Sequence, residues 1–320
     1  MPPLLEVRDL KTSFFTEKGI IRAVDGISFT LHRGKTLAMV GESGCGKSMT
    51  ALSLLRLIPE PGRITGGEIL LDGENLLALS EDEMRSMRGQ HLAMVFQEPM
   101  TALNPVLKIG DQIAEVLQLH ERLSYQKALR KAVSLLEQVG VPDPQQRLDN
   151  YPHQLSGGLR QRVIIAMALA CDPQILIADE PTTALDVTIQ AQIMELLRQL
   201  QDRHQMAILL ITHDLGIVAE SADDVVIMYA GLIVEQTDVK SLFKNPSHPY
   251  TRGLLASLPR TDDKRGRLTP IKGQVPPALD RPTGCPFRNR CPEAIAKCAA
   301  ACPELKPIET GHAVRCWRRE

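Results

Sequence analysis

The chain lacks any apolar run near the ~18–20 residues that a bilayer-crossing helix requires. Its most apolar stretches, residues 174–178 and 206–211, are far shorter and read as buried strands. Any membrane role must therefore come through partners. The start, MPPLLEVRDL, has no basic segment leading into an apolar core, so no secretory signal is expected and the chain is expected to be soluble and intracellular. Net charge is also nearly absent. With 37 Lys and Arg against 38 Asp and Glu, the balance of −1 gives no global pull toward nucleic acid, and no nucleic-acid partner is expected. A modest local excess, eight basic residues against four Glu over residues 281–320, reads as a solvated face. Cysteine is scarce before Cys285, where only Cys45 and Cys171 occur, and no internal repeat is visible.

What is present is an ordinary globular composition, 43% hydrophobic and 23% charged over 320 residues, enough for a sizeable core and about two domains. Short apolar runs with turn signals over residues 5–40 predict several short strands, the last at 36–40. A glycine loop and helix formers follow at once, the strand–loop–helix order of a mononucleotide-binding unit. Residues 59–67 punctuate the chain with Pro and Gly, and GEILLDG offers one more hairpin strand. From about 101 to 165 the apolar residues recur at helical spacing, predicting a helical subdomain inserted in an α/β core. Apolar strands alternating with helices then predict a parallel sheet covered on both faces. Strand signals fade after residue 237 and prolines accumulate. This reading gives a nucleotide-binding domain at 1–237 and a C-terminal extension at 238–320.

The segment GESGCGKS fits G-x-x-x-x-G-K-[ST] without a mismatch. Gly41, Gly44 and Gly46, with Ser43 and Cys45 between them, let backbone N–H groups turn inward on phosphate oxygens. The helix that starts with Lys47, Ser48 and Met49 adds its N-terminal partial charge. Lys47 is expected at the β/γ-phosphates of ATP and the Ser48 hydroxyl on Mg2+. Cys45 reads as a small neutral residue of the loop, not a reactive thiol. The apolar run ILIADE ends in two carboxylates: Asp179 is placed beside the metal and Glu180 can act as general base on the attacking water. Gln97 and His213 follow predicted strands, at the ends where α/β sheets bind ligands. Ser156, Gly157 and Gly158 form a second bare, capped helix start for an anion. One molecule already owns a complete phosphate loop, so this start makes sense as a cap on nucleotide bound by another subunit.

GESGCGKS, FQEP, LSGG, ILIADE, ALD and ITHD, in this order, resemble the nucleotide-binding subunits of ABC transporters. The resemblance implies an α/β P-loop NTPase fold: a RecA-like parallel-sheet core, an antiparallel β subdomain, a helical subdomain and here a cysteine-containing extension. It implies a head-to-tail dimer sandwiching two ATP. Gln97 is then expected to link the site to membrane subunits and touch Mg2+ or water, Asp186 to communicate across the dimer, and His213 to contact the γ-phosphate. Phe14 is expected to stack on adenine, with Phe15 second. Leu159 departs from the commoner Gln after LSGG. FQEPMTALNP, YPHQLSGG, ADEPTTALDVTIQAQI and NPSHPYTRGLL narrow the resemblance to dipeptide/oligopeptide importers and their nickel-importing relatives, most like the D-type subunit of dipeptide systems. That implies a second homologous ATPase subunit in a heterodimer, two membrane-spanning permeases, an extracytoplasmic binding protein, and residence on the cytoplasmic face of a bacterial inner membrane. Soluble ABC ATPases are the rival class. Those of DNA repair insert long coiled coils where this chain has 109 positions between Lys47 and Ser156.

Five cysteines close the chain as C-x5-C-x6-C-x3-C-x13-C. A reducing compartment disfavours disulfides, and only Cys298 and Cys302 have zinc-knuckle spacing. Four thiolates on irregular loops also suit an iron–sulfur cluster. The family resemblance carries a 4Fe–4S cluster onto Cys285, Cys291, Cys298 and Cys316, with Zn2+ as the alternative and Cys302 left over.

Overall fold

The structure is a computed structural model and describes residues 2–97, 102–183, 185–258 and 271–319. The chain divides into two compact units, one built from residues 1–77 and 211–320 and the other from 78–210.

The first unit opens with β1 (Leu5–Thr16) and β2 (Gly19–Leu31), followed by β3 (Thr36–Val40) and helix α1 (Lys47–Leu54). β4 (Gly62–Leu71) and β5 (Glu74–Asn75) complete an antiparallel sheet in the order β2-β1-β4-β5. β1 and β2 are longer than the short strands the turn signals predict. The breaks are bulges within continuous strands: register shifts follow Val7, Leu10 and Thr12, and Asp9 takes a left-handed φ of 46°. Thr12 and Ser13 are both buried because the last bulge interrupts alternation. Thr12 spends that position on α1, its hydroxyl 2.7 Å from that of Ser53.

The second unit holds the predicted helices. α2 (Glu81–Gln90) starts from a capping box in which Ser80 and Glu83 satisfy each other's backbone N–H. After β6 (Leu92–Val95) come α3 (Ile109–Glu121) and α4 (Tyr125–Gln138), which bury Ile113 and Leu117 against Ala128, Ala132 and Leu136 at helical spacing. α5 (Gly157–Ala168) packs on both. β7 (Ile175–Asp179), buried at every position, pairs with β6 in parallel, as its unbroken apolar run predicts. α6 (Val187–His204) buries Ile193, Leu196, Leu197 and Leu200, and β8 (Ala207–Thr212) carries the chain back to the first unit.

There α7 (Leu215–Ser221) precedes β9 (Asp224–Tyr229), which pairs in parallel with β3, and β10 (Leu232–Asp238), which pairs antiparallel with β9. α8 (Val239–Lys244), α9 (Pro249–Ala256) and α10 (Ala296–Ala300) follow. The tail then returns as β11 (Lys306–Glu309) and β12 (His312–Val314), giving a strand order β11-β12-β10-β9-β3 in this unit. These last strands have no apolar signature. They form because β10 offers Glu235 and Gln236 for pairing with Val314 and Ala313. Tyr229, Tyr250, Phe287, Cys285 and Cys298 belong to one buried cluster with Ala38 and Val40 of β3, so the extension shares the core of this unit.

Candidate phosphate loop, carboxylate strand and thiol pocket

The chemistry-bearing residues fall on both units. In the first, β3 delivers the chain into residues 41–46, and Gly46 at φ 108° caps α1. A Cβ at Gly46 would land on the Ala23 carbonyl, and one at Gly41 on the Met228 carbonyl and 2.6 Å from Cys45 Sγ, so neither position admits a side chain. Gly44 takes φ 76° with open space around it, a conformational need without a steric one. Lys47 is buried and curls back over the loop, its Nζ donating to Gly41 O at 2.8 Å and Glu42 O at 3.2 Å. Ser48 and Met49 open the helix half-buried, and Ser43 is exposed at the rim. Cys45 is fully buried, and burial pushes its thiol above the ordinary range, so it sits there as a small neutral group. His213 is exposed immediately after β8.

Two neighbours of this loop are not among the expected site residues. The Glu42 N–H donates to the buried Tyr250 hydroxyl at 3.0 Å, and the Glu42 carboxylate accepts a two-pronged bond from Arg290 at 2.6 and 2.9 Å. Phe14 lies against Gly62, where an added Cβ would meet its ring at 2.6 Å. Phe15 is more exposed and carries the Arg63 guanidinium 4.2 Å above its ring.

In the second unit, β7 ends with Asp179 buried at 4% exposure. Glu180 follows at φ 47°, a left-handed conformation that L residues seldom take. Its Oε2 accepts from Gln97 Nε2 at 3.0 Å and from the Thr183 hydroxyl at 2.8 Å. Gln97 and Glu180 are thus hydrogen-bonded to each other, a contact that the motifs do not name. Thr183, three residues on, is a partner that sequence reasoning missed, although the ADEPTT run placed it in reach. Residues 98–101, which include the end of FQEP, lie outside the described residues, as does Ala184 of the ALD turn. Asp186 caps α6, its Oδ1 accepting from Ile189 N at 2.9 Å.

Ser156 caps α5, its Oγ accepting from Leu159 N at 3.4 Å. Gly157 and Gly158 form the helix's first positions, and Gly158 has a second reason to be bare. A Cβ there would come within 2.9 Å of the Ile189 side chain on α6. Gln112, buried on α3, holds the loop after the undescribed segment: it accepts from Asn104 N at 2.9 Å and donates to Leu107 O at 3.0 Å. Val106 in that loop is 75% exposed.

The four cysteines assigned together on resemblance do share a place. Cys285, Cys291, Cys298 and Cys316 line one apolar pocket of about 10 Å3 with His248, Phe287 and Trp317, and Cys302 is not among its lining residues. The Cys285 N–H bonds to Cys298 O at 2.8 Å, closing the turn between them. Burial pushes Cys285 up to about 12 and raises Cys291 and Cys316 as well. Among the described residues no set of three or more His, Cys, Asp or Glu is gathered tightly enough for a single metal ion.

The described residues contain no helix long and apolar enough to cross a membrane. Residues 24–183 match the ABC transporter family and residues 234–298 match the C-terminal region of oligopeptide/dipeptide transporters. A probable peptide ABC transporter ATP-binding protein of Sinorhizobium fredii is 54% identical over 98% of this chain and 95% of its own length. The dipeptide transport ATP-binding protein DppD of Bacillus subtilis is 50% identical over 100% of this chain and 96% of its own. Among solved structures, the dimeric bacterial ABC transporter cassette MJ0796 aligns with a TM-score of 0.66 at 26% identity, covering 73% of this chain and 98% of that one. By the family match and by full-length identities of 50% and above, the chain belongs to the ABC transporter family.

Proposed function

We propose that this chain is the ATP-binding and hydrolysing subunit that powers import of di- and oligopeptides through a bacterial ABC transporter. Full-length identity of 50% to a dipeptide transport ATP-binding protein carries the reading, together with the Gln97–Glu180–Thr183 arrangement at the end of β7. The loop N–H groups and Lys47 hold the β- and γ-phosphates. Phe14 is the better adenine platform, because Arg63 already covers a face of Phe15. By their motifs, Ser48, Asp179 and Gln97 are the residues that would hold Mg2+, each offering a side-chain oxygen, the hard donor that suits this ion, and Mg2+ would supply charge neutralisation to the phosphates. Glu180 takes a proton from water as that water attacks the γ-phosphorus. The bond to the β–γ bridging oxygen breaks, leaving ADP and phosphate. His213 steadies the γ-phosphate.

Ser156, Gly157 and Gly158 serve nucleotide held by a second, homologous subunit, and Asp186, fixed as the cap of α6, links the two sites. Two permeases receive the motion through the surface around Gln97 and the exposed Val106, on the cytoplasmic face of the membrane, and an extracytoplasmic binding protein delivers the peptide. ATP drives the cycle through its preference for the closed dimer, not through contact with cargo.

The thiol pocket is read as the seat of a 4Fe–4S cluster. The presence of Cys285, Cys291, Cys298 and Cys316 on the lining of one pocket supports it. Zn2+, which takes four ligands at about 2.3 Å from one point, is the alternative occupant of the same cysteines. A bound cluster would tie loops of the extension together, with the four sulfurs ligating as thiolates.

The test is the assembled complex in vesicles. Dipeptide should stimulate ATP turnover, and Glu180→Gln should cut that turnover by about 10²-fold or more while ATP still binds. Unchanged turnover removes the general base from this mechanism. Stimulation by nickel and not by peptide moves the cargo to the metal-importing branch. The same anaerobic sample should carry about four iron and four sulfide per chain; zinc without iron would replace the cluster.

A further inference from the structure

Arg290 lies in the turn between Cys285 and Cys291, yet the main partner of its guanidinium is residue 42 of the phosphate loop. It grips both Glu42 carboxylate oxygens, and its remaining N–H groups reach Lys272 O at 3.1 Å and the Tyr229 hydroxyl at 3.4 Å. The Arg290 side chain is 5% exposed while Glu42 is 32% exposed, so the extension's cation is buried against the loop's rim. Tyr250, also from the extension, accepts from the Glu42 N–H at 3.0 Å. Three rings brace the pair: Tyr229, Tyr250 and Phe287 meet with centroids 4.8 to 5.3 Å apart. Side chain and backbone of one phosphate-loop residue are thereby fixed by the C-terminal extension.

Glu42 poses a physical problem for a loop that must take a polyphosphate. A free carboxylate at the loop's second position repels the incoming charge, and a flexible residue there loosens the N–H groups that should converge on it. We propose that Arg290 is a positioning residue of the nucleotide site, neutralising and fixing Glu42 so that the loop accepts phosphate, which makes the C-terminal extension a working part of that site. Arg290 acts through Glu42 and not on the nucleotide. The proposal rests on reading Gly41–Ser48 as the phosphate loop. Because Arg290 precedes Cys291, and Tyr250 packs on Phe287 of the pocket lining, the thiol pocket is linked to the loop through these two side chains.

The test is ADP titration calorimetry on the full chain, with thermal melting and limited proteolysis to follow the extension. Arg290→Gln should weaken ADP binding about tenfold or more, the scale of one uncompensated charge near the phosphates. The double variant Arg290→Gln with Glu42→Gln should restore affinity to within about threefold of wild type, because the repelling charge has gone. Arg290→Lys should fall between, keeping charge without the planar fork. An unchanged ADP affinity in Arg290→Gln overturns the proposal. So does a loss that the double variant shares in full, since that marks a merely structural arginine. Lys47→Ala separates the two layers: if it binds ADP like wild type, the loop reading itself fails.

Discussion

Single residues in the phosphate loop are specified by local sterics, which is why they were legible in sequence. Gly46 needs φ 108°, and the space a Cβ would fill belongs to the Ala23 carbonyl on β2. Gly46→Ala should therefore displace the start of α1, costing about 1–3 kcal/mol of backbone strain alone. The expected readout is a lowered melting temperature and loss of measurable ADP binding, whereas wild-type affinity in this variant would refute the fit. Glu42 and Arg290 were illegible for the opposite reason. They lie 248 positions apart, and neither stands in a pattern that names the other. Thr183 falls between these cases, within reach of Glu180 by spacing but carrying no chemistry until the bond to Oε2 is seen.

At the scale of elements, periodicity served where a run is buried on one face or on all. β7 and the helices α3, α4 and α6 follow their apolar spacing, and the parallel pairing of β6 with β7 follows from it. β11 and β12 could not be read, because a strand made of Lys306–Glu309 has no apolar alternation and exists only by pairing. What holds them is a buried carboxylate. Glu235 on β10 is fully buried and accepts from Ser247 N at 2.7 Å, His248 N at 2.8 Å and the His312 ring at 2.8 Å. It joins β10, the start of α9 and β12 in one knot. Glu235→Leu leaves those donors buried without an acceptor and should cost about 3 kcal/mol or more. Glu235→Gln, keeping one carbonyl oxygen, should cost about half of that. Urea melts and trypsin release of the tail would measure both, and a Leu variant as stable as wild type would show the knot to be dispensable.

Across the whole molecule, composition marks where strand signals fade, near residue 237, but it cannot show that the first compact unit is made from both ends of the chain. Only contacts distant in sequence reveal that. Arg281 bonds Asp25 at 2.8 Å, Lys35 bonds Asp223 at 2.7 Å, and Phe287 from the tail packs on Tyr229 of β9. A chain ended after Leu258 should accordingly fail as a molecule, not merely lose an appendage. Without β12, the β10 backbone at Glu235 and Gln236 is left as an open edge, a template for pairing with other chains. Without Phe287, Cys285 and Cys298, the rings of Tyr229 and Tyr250 lose their cover, and Glu42 loses Arg290. The expected outcome is a polydisperse, aggregating protein by size-exclusion chromatography with light scattering, with weakened ADP binding in any monomer that survives. A monodisperse truncated chain with wild-type melting temperature and ADP affinity would mean that the N-terminal elements form a self-sufficient cassette. In that case the buried contacts of the tail would be tolerated by the first unit and not required by it.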